Sequence, residues 1–438
     1  MFNTLQYRFL NLKDKFRAYL INVLSIKVLK DYTIVLIGSG FTRVVSFLTS
    51  VILARQLGPE RFGEFSVFLA ILVAFWTSTN FIDSTYVRYA AVEKHSASKK
   101  YLSGSFVIKL FFCLLLIIFA YPIAKLLSKY ILAKPELEVG ILIAIISGTV
   151  LSLVSLRASI YQVDEDFIYF TIFNFIFYFI TFIILLIFFL GKVSFLVETI
   201  YEIYFISAIT VGVVSLIGIY RLSKPITIEK FILKEIFSFS KWLIMANIAY
   251  ILFQRLDLLI LARYGELQDL GQYGAALRLM VIASLLTGSL SAPLLPRATR
   301  TRVSKRIFKS YLTHAFLISA LISSAIGILW LFTPIIVKTF FGEPYTPAIY
   351  LTKILLVGSI FVAIYTPLSQ LFLAEDNPKK MFFLGLIKLG SMLGVGLLLV
   401  PHYGALGAAY TLASSEFIAM LYVFGVLKSK LLNDAKLS

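Results

Sequence analysis

Basic residues occur inside long apolar stretches of this 438-residue chain, where a charge that faces lipid is costly. The six are Arg43, Lys109, Arg255, Arg278, Lys353 and Lys388. The clear acids in such stretches are Asp257 and Glu416, with Glu202 near the end of one. This basic excess fits an anionic ligand, because a guanidinium pairs with phosphate in a bidentate way and an ammonium acts as a point charge.

The two intramembrane acids have two interpretations. Asp257 or Glu416 can bind a proton or Na⁺ and couple an ion gradient to transport, or each can form a buried salt bridge with Arg43, Arg255 or Lys388. Among the other cations, Lys109, Arg278 and Lys353 lie nearer the ends of their apolar stretches. Their long side chains can therefore reach the membrane interface instead of binding a ligand.

Polar residues recur at steps of three and four along three of these stretches, which places each set on one helical face. The sets are Ser39, Arg43, Ser46 and Ser50; Asn247, Tyr250, Gln254 and Asp257; and Thr171, Asn174, Tyr178 and Thr181. We predict that Ser39, Ser46, Asn174, Tyr178, Asn247 and Gln254 line a water-filled cavity. The alternative is that these side chains form hydrogen bonds between helices.

The elements that carry these residues are membrane spans. The chain is 59% hydrophobic and 15% charged, with mean hydropathy +0.90, which excludes a soluble enzyme. Apolar segments of about 20 residues predict about twelve spans, of which the first two are 32–55 and 62–82 and the last is 404–427, and hence an all-α polytopic membrane protein. The single cysteine, Cys113, excludes an intramolecular disulfide, and no metal-ligand spacing occurs. We expect no metal site and no cofactor.

Charge asymmetry predicts the orientation. With a cytoplasmic amino terminus, the termini and inner loops hold 27 of the 41 lysines and arginines, as the positive-inside rule requires. Both termini are then cytoplasmic. Residues 1–31 are predicted to form a basic amphipathic arm on the membrane surface, and the alternative is a solvated tail. Nucleic-acid binding is not needed to explain the net charge of +18. Outer loops are short and GxxxxGK[ST] is absent, which argues against an enzyme and against nucleotide hydrolysis.

An internal repeat divides the chain. At an offset of 208 residues, Leu53-Ala54-Arg55 falls on Leu261-Ala262-Arg263 and Gly63 falls on Gly271. Each half holds six spans. Because an even number of spans returns the chain to the side of the membrane on which it started, both halves begin on the same side and are parallel repeats. We predict two six-helix lobes around a central cavity: residues 32–220, a cytoplasmic linker at 221–240, and residues 241–438.

Three segments resemble one family. Residues 52–66, ILARQLGPERFGEFS, resemble the ARxLGPxxFGxF segment between the first two spans of bacterial polysaccharide flippases. Residues 257–279 resemble the family's connection between spans seven and eight, and residues 400–409 its turn into the last span. The chain thus resembles O-antigen flippases of the Wzx type, in the multidrug/oligosaccharidyl-lipid/polysaccharide exporter superfamily.

This resemblance implies two lobes that move a polyprenyl-diphosphate-linked oligosaccharide from the cytoplasmic to the outer leaflet of a bacterial or archaeal inner membrane, for O-antigen, lipopolysaccharide or other surface polysaccharide. Arg43, Arg255, Lys388 and Arg278 would then contact the diphosphate. Partners would be the lipid-linked oligosaccharide, membrane lipids, and a glycan polymerase or other assembly proteins. Members often carry asparagines in span eleven, where this chain has Lys388, Ser391 and Gly396, so an Na⁺ site there is in doubt.

Three other functions remain as alternatives. A multidrug or cation antiporter of the same superfamily would be expected to carry an acidic excess in its cavity. A membrane polysaccharide polymerase would be expected to have a large outer loop. A scaffold within a glycan-assembly complex would keep its function after the loss of every cavity charge.

Overall fold

The computed structural model describes residues 26–91, 95–193, 196–226, 229–288, 298, 305–374 and 378–436. Most of the predicted amino-terminal arm, residues 1–25, therefore lies outside the described residues. The described part is helical nearly throughout and contains no strand. Its helices are α1 Ile26–Thr77, α2 Asn80–Ala90, α3 His95–Ile118, α4 Ala120–Lys125, α5 Glu138–Val163, α6 Phe167–Leu190, α7 Val197–Ser223, α8 Lys230–Tyr264, α9 Leu267–Gly288, α10 Lys305–Phe340, α11 Ala348–Ala374 and α12 Pro378–Lys436.

Helices α1 and α12 are each too long for one membrane crossing. The 52 residues of α1 would extend about 78 Å as a straight helix, against a hydrocarbon core of about 30 Å. Both break at a glycine with positive φ, Gly58 at 72° and Gly404 at 52°, a backbone conformation that other residues rarely adopt. The breaks divide them into α1a (26–57), α1b (59–77), α12a (378–403) and α12b (405–436).

The number of crossings agrees with the sequence prediction. Ten helical segments of the described chain are long and apolar enough to span a membrane. The first contains both halves of α1 and the last both halves of α12. Counting each half as one crossing gives the predicted twelve.

The segment predicted to link the lobes, 221–240, is partly helical. Helix α7 ends at Ser223 and α8 already begins at Lys230. The first turns of α8 pack on α2 and α3, where the hydroxyl oxygens of Thr85 and Ser240 lie 3.1 Å apart. Tyr101 also donates a 2.7 Å hydrogen bond to Glu235. The described residues of this segment that are not helical, 224–226 and 229, lie between α7 and α8.

The lobes meet at one end of the bundle in a reciprocal contact. A Cβ added to Gly63 would overlap the carbonyl oxygen of Leu267, and one added to Gly271 would overlap that of Pro59. Because Leu267 and Gly271 are Pro59 and Gly63 displaced by 208 residues, the same contact is made twice around a pseudo-two-fold axis. Helices α1b and α9 therefore cross at the predicted repeat axis.

Two arginines extend this contact. The Arg55 guanidinium donates to the carbonyl oxygens of Phe340, at 2.7 Å, and Thr339. Its repeat equivalent, Arg263, donates to the carbonyl oxygen of Tyr130 at 3.4 Å. We call the contact formed by residues 54–63, 263–271 and 339–345 the interlobe seal. Inside it, the Tyr345 hydroxyl donates to the carbonyl oxygen of Ala54 at 2.9 Å.

Candidate functional site

A cavity of about 470 Å³ begins directly below the interlobe seal, where Ser66 faces Gly274. The N-lobe contributes α1b, and the C-lobe contributes α8, α9, α11 and α12b. Its wall includes polar or charged side chains from both lobes: Ser66, Gln254, Arg255, Asp257, Arg278, Ser284, Thr287, Ser359 and Glu416. This central cavity thus lies between the two lobes, as the repeat predicts.

Two predicted headgroup residues, Arg255 on α8 and Arg278 on α9, meet in the central cavity. Their guanidinium groups repel each other, and the phenol groups of Tyr178 and Tyr204 lie near Arg278. Within the described chain neither arginine forms an ion pair, and the buried Nε of Arg255 has no hydrogen-bond partner. Two adjacent cations without a counter-ion form a strong site for an anion.

The Asp257 carboxylate does not neutralise Arg255, although it lies two residues away. It is buried at 4% exposure and accepts a 2.5 Å hydrogen bond from the Tyr273 hydroxyl. The acid is thus held by the C-lobe interior, while the adjacent guanidinium remains free for a ligand. Its predicted role in ion coupling stays a prediction.

Glu416 and Lys388 form an ion pair at 2.8 Å, one of the alternatives left open by the sequence. The Tyr365 hydroxyl donates to Glu416 at 2.8 Å, and the Lys388 ammonium donates to Tyr365 at 3.1 Å. The same ammonium lies 4.4 Å from the centre of the Phe253 ring. Three C-lobe helices are thereby tied to α8. The predicted contact of Lys388 with a diphosphate stays untested.

Of the remaining predicted residues in the described chain, Gln254 lines the cavity and the others do not. Arg43 is exposed on α1a, and Tyr178 contacts Trp76. The side chains of Ser39 and Asn174 donate to carbonyl oxygens of their own helices, and the backbone carbonyl oxygen of Ser46 accepts from the Ser50 hydroxyl. Asn247 donates to the carbonyl oxygens of Thr77 and Ser78, at 2.9 and 3.1 Å. The position of a polar residue on one face of a helix therefore does not show whether its side chain lines the cavity or forms a hydrogen bond within or between helices.

Lys109 does not extend to the membrane interface, which corrects the interpretation offered by its position. It is fully buried and pairs with Asp83 at 2.6 Å. The Ser155 hydroxyl joins them, 3.1 Å from the ammonium and donating to the carboxylate at 2.6 Å. Asp83 was missed because the predicted second span ended at residue 82.

The hydroxyl groups of Tyr273 and Tyr365 were also not predicted from the sequence to have a role. Each orients a carboxylate beside the central cavity. In an apolar stretch a tyrosine counts as an aromatic core residue, and both side chains are indeed buried. No sequence signal reveals the carboxylate that each one meets.

The described residues form a helical membrane protein of two lobes with a cavity between them. The structure is similar to that of the lipid II flippase MurJ in an inward closed conformation, with TM-score 0.71, 17% identity, and 90% of this chain and 87% of that one covered. It is also similar to an inward-facing multidrug resistance MATE family transporter of the MOP superfamily, with TM-score 0.72, 16% identity, and 90% and 96% covered. At these identities the likeness concerns the fold.

The family follows from the sequence itself. The model of the polysaccharide biosynthesis protein family matches residues 28–302, and the chain belongs to that family. This confirms the resemblance to the flippases of the exporter superfamily. No curated protein matches the chain by sequence.

Proposed function

We propose that this protein moves a polyprenyl-diphosphate-linked oligosaccharide from the cytoplasmic to the outer leaflet by alternating access. The observation that carries the proposal is the pair of guanidinium groups, Arg255 and Arg278, that line the interlobe cavity without an ion pair in the described chain. A diphosphate offers the charge and the bidentate geometry that two arginines bind best.

The direction of transport rests on the predicted orientation. With both termini cytoplasmic, the interlobe seal lies on the outer side, so the central cavity would receive its substrate from the cytoplasmic side. Opening the seal would then release the headgroup outward, while the polyprenyl chain stays in lipid. The positive-inside distribution of charge supports this orientation.

The alternative of a multidrug or cation antiporter is less well supported by the site. A cation needs a free carboxylate, but Asp257 is held by Tyr273, and Glu416 is held by Lys388 and Tyr365. Among the described side chains that line the cavity and form no ion pair, two arginines stand against one carboxylate, Asp257, so the excess charge is positive. A polymerase is disfavoured as well, because the predicted outer connections within the described chain, such as 264–267 and 341–347, are short.

The proposal is tested by depleting the protein in its host and measuring, in spheroplasts, the fraction of lipid-linked oligosaccharide that an external sugar-modifying reagent reaches. We expect complete repeat units to accumulate out of reach. A normal distribution of the lipid-linked oligosaccharide between the leaflets, with unpolymerised repeat units accumulating on the outer side, would instead indicate a polymerase. No change in any lipid-linked glycan would favour the antiporter.

Variants assign the headgroup contact in the same assay. Arg255→Ala and Arg278→Ala each remove charge-assisted hydrogen bonds, so we expect each to lower transport by about tenfold or more at normal protein levels. Arg221→Ala changes an exposed arginine at the end of α7, outside both the cavity and the seal, and is the matched control. Arg43→Ala is expected to have a smaller effect, because Arg43 does not line the cavity. Full transport by both cavity variants would refute the assignment.

A further inference from the structure

A second cavity, of about 720 Å³, lies beside the interlobe seal but inside the C-lobe. It is formed by α9, α10, α11 and the junction of α12a with α12b, and it has the size of a small-molecule site. Its wall combines four aromatic rings with three polar side chains: Trp330, Tyr350, Tyr403, Tyr410, Asp269, Gln272 and Lys353. We call it the aromatic cavity. Nothing in the proposed transport step through the central cavity uses it.

We propose that the aromatic cavity binds the sugar portion of the lipid-linked oligosaccharide at the outer side of the membrane. The choice of ligand rests on the proposed function. The tyrosine rings are largely uncovered, at 68% exposure for Tyr350, 62% for Tyr403 and 50% for Tyr410. Flat aromatic faces stack against the C–H faces of sugar rings, while their hydroxyls bond with sugar hydroxyls.

Gln272 supplies the independent evidence for a ligand. Its side chain is only 3% exposed, and its amide nitrogen donates to the carbonyl oxygen of Pro344 at 2.8 Å. Its amide oxygen is buried and has no hydrogen-bond partner among the described residues. An unsatisfied buried acceptor costs free energy, so such groups call for an explanation. A sugar hydroxyl in the cavity would donate to this oxygen.

Lys353 presents a second polar group. Its ammonium lies 4.3 Å from the centre of the Trp330 ring, and it pairs with no carboxylate in the described chain. The carboxylate of Asp269 lines the same cavity but forms no ion pair with this ammonium. The ammonium therefore retains donors for a ligand oxygen. A hydrocarbon chain in this cavity would leave both Lys353 and Gln272 without partners, whereas a sugar supplies oxygens and hydroxyls for both.

Tryptophan fluorescence can test the proposal, because the chain holds only three tryptophans. Trp76→Phe and Trp242→Phe leave Trp330 as the sole reporter in the full-length protein in lipid nanodiscs. The probe is the oligosaccharide released by mild acid from the host's own lipid-linked intermediate. We expect a saturable change in Trp330 emission, and we expect Tyr350→Ala to weaken binding by about tenfold through the loss of one stacking ring.

Control variants distinguish binding in the aromatic cavity from binding elsewhere on the protein. Tyr130→Ala removes a tyrosine of similar exposure, 70% against 68%, that lies outside both the aromatic cavity and the residues of the seal, and it should leave the affinity unchanged. No saturable change, equal affinity in Tyr350→Ala, or a saturable response to short-chain phosphatidylglycerol alone would overturn the proposal. Loss of the response in Arg255→Ala rather than Tyr350→Ala would also overturn it, by placing the sugar in the central cavity. Saturable binding together with normal glycan sidedness after depletion would keep the sugar site and reject the flippase.

Discussion

The buried pair of Lys109 and Asp83 is expected to stabilise the N-lobe only as a complete unit. Lys109→Met would leave the carboxylate buried without its counter-ion, which costs about 3–5 kcal/mol. Asp83→Asn combined with Lys109→Met removes both charges and should recover most of that loss. Denaturant unfolding of the detergent-solubilised protein measures both variants.

The control for this experiment is a salt bridge on the surface. Lys100 pairs with Glu229 at 2.7 Å, but both side chains are more than 40% exposed. Lys100→Met should therefore cost less than about 1 kcal/mol. Equal losses for Lys100→Met and Lys109→Met would mean that burial does not govern the inner pair.

A second pair of variants decides the role of Lys388. If the ammonium serves only to neutralise Glu416, then Lys388→Met lowers transport by leaving a carboxylate beside an anion site, and adding Glu416→Gln restores it. The glycan-sidedness assay measures both proteins. Transport that stays lost in the double variant would instead support the predicted contact between Lys388 and the diphosphate.

At the residue scale, the sequence reveals which charges are buried but not what they meet. Lys109 and Lys388 both stood out as cations in apolar stretches, and both are paired. Arg255 and Arg278 stood out in the same way, and they are the two that line the cavity without an ion pair in the described chain. The difference depends on residues more than 25 positions away, such as Asp83 for Lys109, which no local pattern connects.

At the scale of elements, the crossing of α1b and α9 depends on two glycines. Gly271→Ala would place a methyl group against the carbonyl oxygen of Pro59 and weaken the interlobe seal by about 1–3 kcal/mol. We expect Ser66, which is buried directly below the seal, to become reachable from outside. In a Ser66→Cys, Cys113→Ser background, labelling by a membrane-impermeant maleimide should speed up several-fold.

A glycine in open space provides the comparison. A Cβ on Gly327, within α10, would meet no atom within 4 Å, so Gly327→Ala should leave the labelling rate unchanged. Size-exclusion profiles establish that each variant folds. Slow labelling in a well-folded Gly271→Ala variant would show that the seal tolerates the methyl group.

The elements themselves were the most predictable feature. Their apolar lengths are fixed by the thickness of a bilayer, so the spans could be placed before any contact was known. The break at Gly58 falls between the predicted spans 32–55 and 62–82. The early start of α8 was not predicted, because the charged residues Lys230 and Lys234 suggested a loop, whereas Ile232 and Ile236 of the same turns are buried.

At the scale of the whole molecule, the two lobes repeat the backbone but not the charges. Displaced by 208 residues, Arg278 corresponds to Ala70, Arg255 to Phe47 and Asp257 to Thr49. The reciprocal seal formed around Gly63 and Gly271 therefore encloses a cavity whose charges come from the C-lobe. The repeat predicts a cavity between the lobes, but it does not predict which lobe supplies the charges that bind the anion.

This asymmetry makes opening of the interlobe seal the step on which release depends. Arg55 of the N-lobe reaches Thr339 and Phe340 of the C-lobe, so cysteines at Arg55 and Thr339 can be joined by a short bismaleimide. In a Cys113→Ser background, the double variant Arg55→Cys, Thr339→Cys should transport normally before treatment and lose transport once cross-linked. Each single variant, treated in the same way, should keep its activity, because a modified cysteine alone does not join the lobes. Transport that continues in a fully cross-linked protein would mean that the substrate leaves without separation of the lobes at this end, and alternating access through the seal would have to be abandoned.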